Sequence, residues 1–302
     1  MDGTFSIAPQ MYEQLYTIHG YDDNSGWTLP AVYALLPNKS SKAYQKLLNI
    51  VVEHCRPYIL SPDLVVMDYE MAAISAAEKV FPGASIQGCH FHFSQAIKRQ
   101  LSTDMKIKAE ESVQFALLIK SFYALAFLPP EHIEIAFVEL KSTISPIFSA
   151  ILEDFLNYFS ATWVGTKNRP PRFAHSVWSV YHRCINELPR TTNIVEGWHN
   201  KMHIVAGCDH PNFWKFVTII QNEQDGAHRT MEQIVAGEKP ATRRKIYINL
   251  NKRLLTLVLK YSIGSYEVMD YINGIAHNMN LDNRRWKLSQ LSCLVPITAV
   301  TF

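Results

Sequence analysis

The sequence lacks the features that mark membrane, secreted and repeat proteins. Its longest apolar stretch, FALLIKSFYALAFL, is too short to cross a bilayer and is interrupted by Lys120, so no membrane partner is expected. The five cysteines are scattered and odd in number, which is not a disulfide framework and favours a reducing compartment. The opening residues Met1-Asp2-Gly3 are neither basic nor apolar, so we expect no signal peptide. No internal repeat or low-complexity tract is present.

The net charge is also small, at +2, but it is unevenly distributed. Residues 201–302 hold 13 Lys and Arg against 8 Asp and Glu, so the carboxyl-terminal third is basic and the remainder is mildly acidic. A basic region outside an acidic, metal-binding core would suit a polyanionic partner. An ordinary solvated surface would give the same imbalance, and the charge leaves both interpretations open.

The first hundred residues predict a sheet followed by alternating helices and strands. Three runs with strand periodicity and tight connections, at 4–8, 14–20 and 28–36, predict antiparallel strands. Helices and strands then alternate, at 43–52, 63–68, 70–81, 84–91 and from about Phe93. Three antiparallel strands followed by βαβ units predict an α/β fold with a mixed sheet flanked by helices. With 302 residues, the chain can form one large domain or two modest ones.

The strand signals stop beyond this region. Apolar residues recur at helical spacing from Met105 to Trp163, with a break at Pro129-Pro130, and 165–172 reads as a loop. A helix start appears at Thr191-Thr192-Asn193, and the basic segment 230–262 is also helical. The tail after Trp286 gives no interpretable pattern.

Three carboxylates stand at the edges of predicted elements. Asp2 begins a strand, Asp68 ends another, and Glu196 lies near the start of a helix in RTTNIVEGWHNKM. If the two strands are neighbours, Asp2 and Asp68 can converge, and a helix is a rigid mount for a third ligand. Carboxylate oxygens suit Mg²⁺ or Mn²⁺ as ligands. Two such ions can stabilise both the attacking and the leaving oxygen of an in-line displacement at phosphorus.

Glu196 also has structural interpretations. Asn193 followed three residues later by Glu196 fits a capping pattern at a helix amino terminus. His199 shares a helix face with Glu196 and could support it. A Glu-x-x-His pair also occurs in carboxylate-bridged di-iron bundles, although only one such pair is obvious here.

Cys89 and His92 form a C-x-x-H unit after the predicted strand at 84–91. This spacing can supply two ligands of a structural zinc. The next histidines at suitable mutual spacing, His199 and His203, follow over a hundred residues later, outside finger-type spacing, so zinc is not expected. A small buried Cys89, with His92 hydrogen-bonded at a helix start, is the structural interpretation.

A set of four tryptophans and a set of five basic residues each have two interpretations. The first set fits core packing or, as the minority interpretation, base stacking: Trp163, Trp178, Trp198 and Trp214. The second set fits phosphate contacts or a solvated helix face: Lys98, Arg99, Arg243, Arg244 and Lys245.

Four segments together resemble the transposase domain of Mutator-like elements (MULE), of the RNase H-like DDE transposase superfamily. They are DGTFSIAP, YALLPNKSSKAYQKLL, VVMDYEMAAISAAEKVFPGASIQGCHFHFSQAIKRQ and PRTTNIVEGWHNKM, in the family order from Asp2 to about Gln224. The resemblance implies an RNase H-like core interrupted by an all-helical insertion. The implied division is a first part of the core at 1–104, the insertion at 105–184, the rest of the core at 185–230 and a basic helical region at 231–302.

The resemblance also implies chemistry. The family's catalytic and metal-binding acids fall on Asp2, Asp68 and Glu196, and its C-x-x-H motif on Cys89 and His92. Two Mg²⁺ or Mn²⁺ ions, DNA as substrate, a nuclear location and DNA transposition follow as expectations, with a homo-oligomer on DNA as a further one. The reaction would be strand cleavage by activated water and then attack of the freed 3′-hydroxyl on target DNA.

Two departures from the family pattern keep an alternative open. The sequence begins one residue before Asp2, so most of the first strand is expected to be missing, and no upstream DNA-binding module is seen. The alternative is a domesticated or truncated, non-catalytic DNA-binding or regulatory protein that retains the transposase fold. A protein-interaction scaffold, in which the acids only cap and solvate, is a third reading.

Overall fold

The computed structural model describes residues 1–22, 25–166, 168–240 and 244–279. They form two compact units, one of residues 1–86 and 191–240 and the other of residues 87–190 and 244–279. Among the described residues, no helix combines the length and apolarity needed to span a bilayer. None of the four described cysteines is in a disulfide, and Cys293 lies outside the described residues.

The first unit opens with a three-stranded antiparallel sheet. Its strands are β1 (Asp2–Thr4), β2 (Gln14–Tyr21) and β3 (Thr28–Leu36), in the order β1-β2-β3. The antiparallel arrangement and the second and third strands are confirmed. The first strand was predicted wrongly at 4–8, because the chain turns after Thr4 and buries the side chains of Ile7 and Ala8.

A helix, a strand, a helix and a strand follow in the predicted order. They are α1 (Ser41–His54), β4 (Leu64–Met67), α2 (Met71–Val80) and β5 (Ser85–Gly88). Ser40 caps α1, since its Oγ accepts a hydrogen bond from the Ala43 N–H at 3.2 Å. β4 and β5 form a two-stranded sheet. The Met1 amino group donates to the Val66 carbonyl at 2.8 Å, which brings the chain at the start of β1 beside β4.

The second unit contains the predicted helical block. Its α-helices up to residue 190 are α3 (His90–Arg99), α4 (Thr103–Glu111), α5 (Val113–Ala124), α6 (Ile133–Ser142), α7 (Pro146–Phe159), α8 (His175–Trp178) and α9 (Tyr181–Ile185). Phe93 stacks on Trp178 with ring centroids 5.0 Å apart and meets Trp163 edge-on at 4.8 Å. Both tryptophans are buried core residues, as the packing interpretation predicted.

The predicted boundary between β5 and α3 was wrong. The strand ends at Gly88, and the helix begins at His90 instead of about Phe93. Cys89 is the N-cap residue but makes no side-chain capping bond. The His90 N–H donates instead to the Arg190 carbonyl at 3.0 Å, so a residue distant in sequence satisfies one of the exposed donors at this helix start.

The chain returns to the first unit with α10 (Asn193–Ala206) and α11 (Phe213–Val235). Their apolar faces pack with residues of the amino-terminal segment in one buried cluster, formed by Ile7, Ala8, Leu15, Trp198, Met202, Ala206, Phe216 and Ile219. Trp198 is therefore a core residue, whereas Trp214 is 77% exposed. The core interpretation is correct for three of the four tryptophans and wrong for Trp214.

The second unit ends with α12 (Lys245–Ser262) and α13 (Val268–Asn278), which pack against each other. The helical prediction for 230–262 is confirmed except for a break after Val235. The tail after Trp286 lies outside the described residues. The division into family domains at 104, 184 and 230 stays a prediction.

Candidate functional site

Asp2 is a buried carboxylate on β1, with 5% of the residue exposed. Its Oδ1 accepts a hydrogen bond from the Gly3 N–H at 2.8 Å. Its backbone carbonyl lies 3.3 Å from the Oγ1 of Thr17, the residue opposite it on β2. The carboxylate is therefore held in a fixed place on the sheet.

Asp68 directly follows β4 and lines the same small pocket as Asp2. The pocket has a volume of about 80 Å³, which suits ions and water molecules and is too small for a nucleotide. Glu70 also lines it, together with Lys39. We did not expect Glu70 from the sequence, although its position two residues after Asp68 was a signal that could have found it.

A chain of hydrogen bonds fixes Glu70. Gln14 Nε2 donates to the Tyr44 hydroxyl at 2.6 Å, and that hydroxyl donates to Glu70 Oε2 at 3.0 Å. Burial raises the pKa of Tyr44, so the phenol keeps the proton that it donates. Burial likewise raises the pKa of Tyr16 well above its ordinary value, and nearby Tyr44 and the carboxylates of Asp2, Asp68 and Glu70 add to the effect.

His199, on α10, contacts Asp2. Its Nδ1 lies 3.4 Å from Asp2 Oδ2, and its Nε2 lies 3.2 Å from Thr17 Oγ1. The site around Asp2 therefore combines the amino-terminal sheet with a helix that begins 191 residues later, at Asn193. The sequence related His199 to Glu196 and did not indicate its contact with Asp2, and the supporting role of His199 stays a prediction.

Glu196 precedes His199 by one helical turn and is half-buried. The predicted capping by Asn193 is wrong, because Thr192 is the N-cap residue and Asn193 is the first residue of the helix. The Glu196 N–H donates to the Thr192 carbonyl at 3.0 Å, as in an ordinary first turn. Glu196 is not among the residues that line the pocket of Asp2 and Asp68.

Contacts on both sides of Trp198 fix the orientation of α10. Trp198 Nε1 donates to Glu223 Oε1 at 2.7 Å, and Lys201 Nζ donates to Glu223 Oε2 at 2.6 Å. The imidazole of His19 meets the indole edge-on at 5.4 Å. Burial lowers the pKa of His19 to about 3, so this ring is neutral at physiological pH.

Cys89 and His92 belong to the second unit. Cys89 is fully buried, and its Sγ lies within 4.8 Å of a ring nitrogen of His92. A buried arginine that the sequence did not reveal, Arg183, donates to the carbonyls of Gly88 at 2.7 Å and Arg190 at 3.1 Å. This guanidinium fixes the backbone on which the C-x-x-H motif begins.

The basic residues predicted to contact DNA occupy helix ends. Lys98 and Arg99 form the last turn of α3, where burial and then Lys106 lower the pKa of Lys98. Arg244 is the N-cap residue of α12 and Lys245 is its first residue, and both are exposed. Arg243 lies outside the described residues.

Comparison with protein families gives a match in the amino-terminal part of the chain. Residues 1–96 match the model of the MULE transposase domain, a span that includes Asp2, Asp68, Cys89 and His92. No curated protein and no solved structure matches the chain. A transposase domain implies interaction with DNA. Residues 1–96 of this chain are therefore similar to the transposase domain of Mutator-like elements (MULE).

Proposed function

We propose that this chain is a DNA transposase-type enzyme that cleaves phosphodiester bonds and transfers strands with divalent metal ions. One observation carries the proposal. Asp2 and Asp68 are 66 positions apart in sequence, yet they line one small pocket, and both lie within the segment that matches the transposase family. This is the arrangement that carboxylate-held metal ions need.

The donor set fits Mg²⁺ or Mn²⁺. Asp2 and Asp68 offer hard carboxylate oxygens in a largely buried pocket, and Glu70 adds a third carboxylate. Glu196 would complete the ligand set from α10. Such ions, when bound, would activate water and stabilise the charge that develops on the phosphate.

Neighbouring residues would prepare these carboxylates. His199 orients Asp2 through its Nδ1, and the Tyr44 hydroxyl orients Glu70. Lys39 lines the pocket with its ammonium group 4.1 Å from the centre of the Phe5 ring. It would offer a positive charge to a DNA phosphate that enters the pocket.

The strand arrangement supports an RNase H-like core. The antiparallel strands β1, β2 and β3 precede β4, α2 and β5 in the chain, and the Met1–Val66 hydrogen bond links the start of β1 to β4. One mixed sheet would join the two smaller ones in this way. A nuclear location and a homo-oligomer on DNA belong to the same proposal, since the substrate would be chromosomal DNA.

One observation favours the non-catalytic alternative. Glu196 does not line the pocket that Asp2 and Asp68 share, so the third acid would have to approach the ions from outside that pocket. A protein that kept the fold and bound DNA without cleaving it would have no need for this acid at the pocket.

Nicking of supercoiled plasmid with Mn²⁺ tests the proposal. We expect cleavage by the wild type and a loss of at least about 100-fold in Asp2→Asn, Asp68→Asn and Glu196→Gln. Asp104→Asn, an exposed acid in α4, is the matched control and should cleave normally. Cleavage that persists unchanged in the three site variants refutes the metal site. A folded wild type that binds DNA without nicking it supports the alternative.

A further inference from the structure

The exposed face of α12 is basic along its whole length. Four cations, at Lys245, Lys252, Arg253 and Lys260, are exposed. At 100° per residue they fall within an arc of about 100°, and they span about 22 Å along the helix. The opposite face is apolar and packs inward through Leu254 and Val258, both of which are buried.

The charge of this face is of one sign. α12 contains no Asp or Glu, whereas α11 carries Glu223, Asp225 and Glu232 close to Arg229. A helix face that only needs to be solvated usually mixes both signs, because oppositely charged neighbours stabilise it. Within the described parts of the chain, none of the four cations of α12 forms a salt bridge.

The acidic groups that act on α12 do so near its carboxyl-terminal end. The charges of Glu131, Glu139 and Glu267 add to the effects of burial and of Tyr181, which raise the pKa of Tyr261. Arg253 donates from its Nε to Asn278 Oδ1 at 2.8 Å, and Lys260 lies 5.7 Å from the Tyr266 ring centre. Two of the four cations are therefore held in place by neutral partners, which keep their charge available.

These positions are not explained by helix stability. Lys245 stands at the positive end of the helix dipole, directly after Arg244, where cations are unfavourable and anions are favoured. Only Lys260 lies in the last turn, where a cation stabilises the helix. The arrangement would gain stability from an anionic partner along the face.

We propose that this face of α12 is a docking surface for the phosphate backbone of duplex DNA, separate from the carboxylate pocket and independent of metal ions. Three cationic positions along the helix, spaced seven and eight residues apart, match an extended polyanion better than a compact one. The surface offers charge without base-reading geometry, so binding should be insensitive to sequence.

An anionic membrane is the competing partner, because Ile246 and Leu259 flank the basic face and are partly exposed. DNA is favoured because the main apolar face of α12 is occupied by its own unit, in contacts with α13 and α9. A helix that binds in a membrane interface needs that face for the lipid. The transposase family match points to DNA as well.

The test is binding of the full chain to a 30-base-pair duplex of arbitrary sequence, in EDTA, at a series of NaCl concentrations. The variant is Lys245→Gln, Lys252→Gln, Arg253→Gln and Lys260→Gln together. We expect weaker binding and a slope of log affinity against log salt that is smaller by about three to four, or roughly one per phosphate contact. The matched control replaces Lys42, Lys46, Lys79 and Arg229 by Gln, four exposed cations elsewhere.

Several results would overturn the proposal. The first is a wild type that does not bind the duplex. The second is a salt slope of the control variant that falls as much as that of the α12 variant. The third is a salt slope of the α12 variant that equals that of the wild type. The fourth is an α12 variant that no longer binds anionic phospholipid vesicles but still binds the duplex as the wild type does. If the fourfold variant does not fold, Lys252→Glu alone gives the same comparison at mid-helix. The binding test is done in EDTA, where a metal-dependent cleavage site is inactive, so failure of the cleavage site and failure of this surface are distinguishable.

Discussion

The imidazole of His199 is held between Asp2 and Thr17, with Nδ1 3.4 Å from the Asp2 carboxylate and Nε2 3.2 Å from the Thr17 hydroxyl. The carboxylate is an acceptor, so a ring proton belongs on Nδ1, whereas the Thr17 hydroxyl donates its own proton to the Asp2 carbonyl at 3.3 Å. This assignment rests on the hydrogen-bond pattern. Histidine thereby fixes the direction of a carboxylate that would hold a metal ion, as outer-shell partners of metal ligands do.

Replacing His199 should weaken metal binding more than it weakens the fold. In His199→Ala we expect the Mn²⁺ concentration for half-maximal plasmid nicking to rise by about 10- to 100-fold, because Asp2 loses its orienting donor. His199→Asn places an amide N–H near the position of Nδ1 and should recover part of the loss. Metal titrations of the nicking rate measure both effects.

His203→Ala is the control for this experiment. His203 lies on the same helix, is exposed, and contacts Asp209 instead of the site. Equal metal requirements in His199→Ala and the wild type would contradict the positioning role. A shift in His203→Ala as large as that in His199→Ala would show that the helix, not the imidazole, is responsible.

Gly3 should not tolerate a side chain. A Cβ at this position would clash with Gln14 Oε1 and would lie 3.3 Å from the Tyr16 ring. Gln14 is 1% exposed and bonded to Tyr44, so it has little space to move. We expect Gly3→Ala to displace Gln14, break its bond to Tyr44 and lower the free energy of unfolding by about 1–3 kcal/mol.

Urea denaturation measures the effect of Gly3→Ala. Gly83→Ala is the matched control, since a Cβ there meets no atom within 4 Å. If Gly3→Ala is as stable as the wild type, the packing of Gly3 against Gln14 is not a constraint. Combining Gly3→Ala with Gln14→Ala should recover stability if the clash is the cause.

Local patterns predicted local structure well. β3 was predicted with its observed ends, because nine consecutive residues have strand character between two turns. The Ser40 cap was predictable because capping depends on residues only three positions apart. The mixed α/β class followed from the same local signals and their order along the chain.

Features set by distant residues were missed or displaced. The start of α3 depends on the Arg190 carbonyl, and the buried guanidinium of Arg183 holds backbone carbonyls at Gly88 and Arg190. No pattern around His90 or Arg183 indicates these contacts. Asn193 was expected to cap α10 because its spacing from Glu196 is right, yet Thr192 takes that place.

The candidate site likewise combines residues that local patterns indicated with one that only a distant contact reveals. Asp2 and Asp68 were identified from their positions at strand ends, and the pocket that they share agrees with that reasoning. Glu70 was missed because one acid after a strand is rarely informative, and only its bond to Tyr44 shows that it is fixed at the pocket. The roles of Asp2, Asp68 and Glu196 as metal ligands stay a prediction.

His90 should make the fold sensitive to acid. Burial lowers the pKa of His90 to about 3, and the nearby charges of Arg190 and Arg183 act in the same direction. In the unfolded chain the pKa returns to about 6.5. Between these values the unfolded state binds more protons than the folded state, so stability falls as the pH drops below 6.5 and is unaffected by this group above it.

The variant that tests this effect is His90→Phe, which keeps an aromatic ring beside Phe127, whose ring centre is 5.2 Å away. At pH 5 the wild type should lose about 2 kcal/mol of unfolding free energy relative to pH 7.5 through this group, and the variant should be spared that loss. Denaturation curves at both pH values measure the difference. His228→Gln, at an exposed histidine of α11, should keep the wild-type pH dependence, because its imidazole lies on the surface and takes no part in the packing around His90. If His90→Phe loses as much stability on acidification as the wild type, the neutral buried imidazole is not the source of the acid sensitivity.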